Sequence, residues 1–142
     1  MVVLVPILGG LGWWYFHERQ LPAYSPAYRE YAYVTNGKSN TVSVIDLRTF
    51  QPAKTIKVGS EPSGIAANSK KNELYVVNTQ SNSVSVIDAE RNEVVATIGV
   101  HASPYFIDVS GDGKRAYVAN AKSANVSAVS YTHLTLPTIL RV

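Results

Sequence analysis

Tyr33-Val34-Thr35-Asn36 returns as Tyr75-Val76-Val77-Asn78 and again as Tyr117-Val118-Ala119-Asn120, 42 residues apart each time. The register extends outward from this core. Val42-Ser43-Val44-Ile45-Asp46 recurs as Val84-Ser85-Val86-Ile87-Asp88, Thr55-Ile56 as Thr97-Ile98, and Pro62 and Ile65 as Pro104 and Ile107. A period kept without insertion means that each repeat is one structural unit.

Each unit holds four short runs rich in β-branched and aromatic residues. In the first they lie near 31–35, 41–46, 53–58 and 63–67. Turn-formers separate them, among them Asn36-Gly37-Lys38-Ser39-Asn40 and Gly59-Ser60-Glu61-Pro62. A further turn is expected at Gly111-Asp112-Gly113. Four antiparallel strands in such a period have the dimensions of a β-propeller blade. Stacked blades bury both faces of their strands, which explains why Val42, Val44 and Ile45 are apolar without strict alternation.

Tyr33-Val34-Thr35-Asn36 resembles the motif that names the YVTN propeller family. The Val-Ser-Val-Ile-Asp and Thr-Ile-x-Val-Gly-x-x-Pro runs follow that family's pattern too. The resemblance spans 31–129 and implies an all-β fold, with four-stranded antiparallel blades at 31–72 and 73–114, a partial blade at 115–129, and an incomplete ring. It implies a full ring of about seven blades in the parent protein. Relatives include surface-layer proteins, periplasmic binding propellers, haem- and quinone-linked propellers and lactonases, so the fold alone selects no function.

Residues 1–16 carry no charged side chain. As a helix they would span roughly 24 Å, short of a hydrocarbon core of about 30 Å. The stretch 1–19 is therefore read as a hydrophobic signal peptide or short signal anchor, with Trp13, Trp14 and Tyr15 at the interface. A buried strand is the alternative. Residues 20–30, with Pro22 and Pro26, read as a linker. The expected location is periplasmic, extracellular or membrane-anchored and facing outward.

The repeat breaks at Ser130, where an aspartate is due. The string from Val129 resembles one reading frame of a transposon-based sequencing adaptor. Residues 130–142 are accordingly expected to be a non-native tail that does not complete the third blade, and His133 is recruited to no site.

The net charge is +3, from 13 basic and 10 acidic residues without a basic stripe, which argues against a nucleic-acid partner. The chain has no cysteine, so disulfides, thiolate metal sites and covalent c-type haem are excluded within it. No nucleophile elbow, phosphate loop, dinucleotide fingerprint or zinc motif is present, and no catalytic residue or metal site is assigned.

The recurring Asn36, Asn78 and Asn120, Asn40 and Asn82, and Asp46 and Asp88 are read as turn-formers. One place departs from the repeat. Gly59-Ser60-Glu61-Pro62-Ser63-Gly64 becomes His101-Ala102-Ser103-Pro104-Tyr105-Phe106, in the loop that enters the innermost strand. His101 brings a group able to ligate haem or a metal or to titrate, and Tyr105 and Phe106 bring flat surfaces for stacking. The alternative is drift in an exposed loop, with the aromatics packing between blades. Glu61 and Asp108 are weaker candidates for a cation.

The leading expectation is an extracytoplasmic propeller that binds a protein, polymer or surface ligand and is not an enzyme. Its partners would include the remaining blades of the parent chain, and it would meet the membrane only through the N-terminal segment. The competing expectation is a cofactor-linked (haem or quinone) or lactonase-like propeller. The sequence leaves the cofactor and the ligand open.

Overall fold

A computed structural model describes residues 30–130 and the backbone of 138–141. The signal or anchor expected at 1–19, the linker at 20–30 except its last residue, and His133 lie outside the described residues.

The repeated valine, isoleucine and tyrosine runs form strands, as their propensity demands. The first sheet is β1 (Tyr31–Asn36), β2 (Thr41–Asp46) and β3 (Gln51–Lys57). The second is β4 (Pro62–Asn68), β5 (Glu73–Asn78), β6 (Ser83–Asp88) and β7 (Glu93–Gly99). The third is β8 (Pro104–Val109), β9 (Ala116–Asn120), β10 (Asn125–Val129) and β11 (Thr138–Arg141). Each sheet is an antiparallel meander whose strands lie side by side in chain order. The equivalent pairs Tyr33↔Val44, Tyr75↔Val86 and Tyr117↔Ala128 repeat the register through all three sheets.

Two expectations need correction. The units drawn at 31–72, 73–114 and 115–129 cut the sheets in the wrong phase. The run near 63–67 does not close the first sheet but opens the second, as β4 pairing with β5. The cause lies in the connector. Val58 N–H still bonds back to Asn40 O at 3.0 Å, but Glu61 takes φ 55°, and the chain leaves β3 to start a new sheet at Pro62. The third sheet also gains a fourth strand in the tail, with Asn125 opposite Arg141 and Ala128 opposite Thr138. The outer edge of β10 offers a row of backbone donors and acceptors, and such an edge pairs with a strand-forming run whatever its origin.

The core lies between sheets. Val42, Val44, Ile56, Leu74, Val76 and Ile87 form one cluster, between the first and second sheets. Tyr75, Val77, Val84, Val86, Ile107, Ala116, Val118 and Val129 form another, between the second and third. Alternate residues of β5 thus serve opposite interfaces, Leu74 and Val76 one, Tyr75 and Val77 the other. Each fully buried valine contributes on the order of 1.5–3 kcal/mol. This two-sided burial is why β5 and β6 read as nearly continuous apolar runs. Among the described residues the three sheets form an open array of propeller blades.

Candidate functional site

The chain crosses from sheet to sheet at one end of the molecule, through the β3–β4 connector (58–61) and the β7–β8 connector (100–103). The β1–β2, β5–β6 and β9–β10 hairpins turn at the same end. A repeated set of bonds fixes this end. Asn40 and Asn82, both in the left-handed backbone region, tip their β-hairpins. Asn40 Oδ1 accepts from Glu61 N–H at 2.9 Å, and Asn82 Oδ1 accepts from Ser103 N–H at 2.9 Å. Each is a latch from one blade onto the connector of the next. Ser81 Oγ and Ser123 Oγ accept from Ser60 and Ala102 N–H, at 3.0 and 2.8 Å.

The recurring polar residues therefore divide. Asp46 and Asp88 are turn-formers as read, each accepting backbone N–H groups two and three residues on. Asn40 and Asn82 instead join blades. Asn36, Asn78 and Asn120 clip hairpins together, as when Asn78 Nδ2 donates to Ser83 and Ser85 Oγ at 3.1 and 3.0 Å.

Against this regular frame, the start of β8 stands out. Tyr105 and Phe106 are 67% and 61% exposed, although they sit on the first strand of a sheet. Pro104 pairs with Asn120 and Phe106 with Ala119, so Tyr105 is the extra residue of a β-bulge. The same irregularity lies between Pro62 and Ile65 of β4, so the bulge belongs to the repeat and only the side chains carried on it differ. His101 lies half-buried in the connector leading to it. The structure therefore places His101, Tyr105 and Phe106 on one continuous segment at the connector end. Glu61 is at that end but one repeat earlier, and Asp108 lies farther down β8, where its carboxylate accepts from Val109 N–H at 2.8 Å.

The equivalent residues in the second sheet cannot be large. A Cβ on Gly59 would fall 2.5 Å from Ser81 Oγ and 2.6 Å from Asn78 Cγ. A Cβ on Gly64 would fall 2.9 Å from Tyr105 O, on the strand of the next blade. Ser63 Oγ meanwhile lies 2.8 Å from Thr79 Oγ1 and donates to Tyr105 O at 3.1 Å. In the third sheet His101, Phe106, Tyr105 and Ala121 hold the places of Gly59, Gly64, Ser63 and Thr79.

Two departures, Ala121 and Ala124, were not read from the sequence. Ala124 holds the place of the latch residues Asn40 and Asn82, and keeps their left-handed backbone at φ 48° without a side-chain acceptor. The signal was present, since the asparagine recurs once and then stops. The close-approach glycine, the serine–threonine bond and the latch are thus all absent from one corner of the third sheet. Lys122, between Ala121 and Ser123, is exposed there.

Residues 14–135 match the model of the YNCE-like beta-propeller family. The chain belongs to that family. The YVTN-type propeller read from the sequence stands accordingly. No curated protein matches the chain in sequence. Among solved structures, hydrazine synthase of Kuenenia stuttgartiensis is 27% identical with a TM-score of 0.74, covering 79% of this chain and 32% of that one. The dihydro-heme d1 dehydrogenase NirN, solved in complex with DHE, is 18% identical with a TM-score of 0.70, covering 87% and 27%. Virginiamycin B lyase from Staphylococcus aureus is 16% identical with a TM-score of 0.67, covering 79% and 38%. The last two likenesses show the fold alone. This YNCE-like chain spans 27–38% of the length of these three structures.

Proposed function

We propose that the chain is part of an extracytoplasmic binding propeller, not itself an enzyme, that holds its ligand at the connector-end corner of the third sheet. One observation carries this reading. Five positions that are glycine, serine, threonine or asparagine in the second sheet change together at that corner, to His101, Tyr105, Phe106, Ala121 and Ala124. Two of them, the aromatics, are left exposed. Their counterparts Ser63 and Gly64 touch the first strand of the next blade, so Tyr105 and Phe106 stand where the third sheet would meet a following blade, and their flat faces offer stacking surface at the rim of that seam. The uncharged stretch 1–16 supports export or outward anchoring.

The test is a thermal-shift survey of small molecules and peptides on the full chain, repeated on a Tyr105→Ser, Phe106→Gly variant. A ligand that stabilises the first and not the second supports the site. Ligands that stabilise both equally, or none at all, speak against it. A reporter fused after residue 30 should be recovered outside the cytoplasm, and recovery inside would contradict the location.

The second reading is a cofactor-linked or lactonase-like propeller. An imidazole and two flat side chains on one segment favour the cofactor-linked form, with His101 as ligand to haem and Tyr105 and Phe106 stacking on it. Added haem should then give a ligand-field spectrum that His101→Ala abolishes.

A further inference from the structure

We propose that Asn36 is a site of spontaneous modification, at which the chain converts its own asparagine to aspartate and isoaspartate. Asn36, Asn78 and Asn120 hold equivalent places but are followed by different residues, Gly37, Thr79 and Ala121. Asn36-Gly37 is the chain's single Asn-Gly pair. The reaction needs the backbone nitrogen of the following residue to attack the side-chain amide. In the second and third sheets that nitrogen is engaged. Thr79 N–H donates to Glu61 O and Ala121 N–H to Ser103 O, both at 2.9 Å. Asn78 and Asn120 are also buried, at 0% and 2% exposure. The first sheet follows no connector among the described residues. No described residue accepts from Gly37 N–H, and Asn36 and Gly37 are only half-buried. Asp112-Gly113 is open to the same ring closure in principle, but Gly113 N–H donates to Ser110 O at 2.8 Å.

The Gly37 nitrogen gives its proton to base and attacks Asn36 Cγ. The Cγ–Nδ2 bond breaks, Nδ2 leaves as ammonia with a proton from water, and a succinimide ring joins the two residues. Closing the ring requires the Asn36 backbone to turn from its ψ of 87°. Glycine opposes that turn least, since it has no Cβ to crowd it. Nδ2 must also leave Ser43 Oγ and Thr41 Oγ1, at 2.9 and 3.2 Å. Asn78 makes the same two bonds, so they do not separate the sites. Water then opens the ring. Attack at Cγ restores the main chain and leaves aspartate, which still accepts from the two hydroxyls. Attack at the main-chain carbonyl leaves Gly37 bonded to Cγ, an isoaspartate whose backbone is longer by a methylene. That backbone cannot keep residue 36 opposite Thr41, so the tip of the β1–β2 hairpin opens.

The experiment holds the folded full chain at mildly alkaline pH beside a sample in urea. Peptide mapping by mass spectrometry and isoaspartyl methyltransferase labelling follow each asparagine over time. Asn36 should convert first, to both products, at a folded rate within roughly tenfold of the unfolded one. A Cβ on Gly37 would meet only Pro62 O, at 3.5 Å, an ordinary contact. Gly37→Ala should therefore leave thermal unfolding unchanged while slowing conversion at Asn36 roughly tenfold. The proposal is overturned if another asparagine, such as Asn82 before Ser83, converts as fast in the folded chain. It is equally overturned if Gly37→Ala leaves the rate unchanged, or if Asn36 stays intact in the folded chain while the urea sample converts.

Discussion

The β3–β4 and β7–β8 connectors have one backbone and two chemistries. Glu61 and Ser103 share the left-handed conformation, at φ 55° and 51°. Both donate N–H to an asparagine of the preceding blade at 2.9 Å. Val58 and Val100 return N–H to Asn40 and Asn82 O at 3.0 and 2.9 Å, and Thr79 and Ala121 donate to Glu61 and Ser103 O at 2.9 Å. Around the first connector the side chains are small and close the seam to the next blade. Around the second, Tyr105 and Phe106 are large and exposed, and His101 is half-buried. Because backbone bonds and two latch asparagines hold both connectors, the remaining positions can change without loss of the fold.

The sharpest way to break this comparison is to move a residue from one side to the other. Gly64→Phe should destabilise the chain by about 3 kcal/mol, since even a Cβ there meets the Tyr105 carbonyl on β8. The reverse change, Phe106→Gly, should cost less than about 1 kcal/mol, the intrinsic penalty of glycine in a strand. Urea unfolding of the full chain measures both, and equal losses would show that the two positions do the same structural work.

The latch is next in size. Asn82→Ala should cost about 2 kcal/mol, from a lost hydrogen bond, an unpaired Ser103 N–H and a left-handed backbone that alanine tolerates poorly. Ala124→Asn relieves that last strain and should raise stability by about 0.5 kcal/mol.

Tyr33 sharpens the comparison from the first seam. Its hydroxyl donates to Asn92 Oδ1 at 2.6 Å, across from the first sheet to the second. Tyr33→Phe should cost about 1 kcal/mol at neutral pH. Burial first, then the charges of Tyr31 and Asp88, raise the Tyr33 pKa above its ordinary 10.0. The folded state therefore holds this proton more tightly than the unfolded one. The contribution is complete below 10.0 and is lost as pH rises through the higher folded value. The stability difference between the wild type and Tyr33→Phe should hold constant from neutral pH to about 10 and close as pH rises through the folded value.

The smallest effect is expected at the opposite end of the blades. The backbone N–H of Arg91, then that of Glu90, holds the Asp88 carboxyl below its ordinary value. The Ser110 hydroxyl does so for Asp112, followed by Lys114 N–H. Both groups contribute stability above 3.8 that is lost as pH falls through their lower folded values. Asp88→Asn should flatten the acid limb of the stability curve slightly and leave neutral stability almost unchanged. Both carboxylates lie at the surface, Asp88 half-buried there, so water screens most of the effect.

The strands were legible because blade stacking buries both faces of β5 and β6, leaving apolar runs that recur with the period. The phase was not, since any window of one period contains four strands. Only the bonding at Pro62 and Pro104 decides which sheet a run joins. The latch was unreadable for a related reason. Asn40 and Asn82 reach 21 residues ahead into the next blade, while a recurring asparagine in a hairpin reads as a local turn. His101, Tyr105 and Phe106 stood out as residues that break the repeat, but Ala124 is a loss, and a missing side chain attracts less notice than a new one.

The most direct test of the central claim restores the corner to its repeat pattern. A full chain carrying His101→Gly, Tyr105→Ser, Phe106→Gly and Ala124→Asn should unfold at the same temperature as the wild type or higher, and should no longer be stabilised by a ligand that stabilises the wild type. A variant that binds as before, or that loses several degrees of stability, would show that these residues pack the propeller rather than serve a ligand.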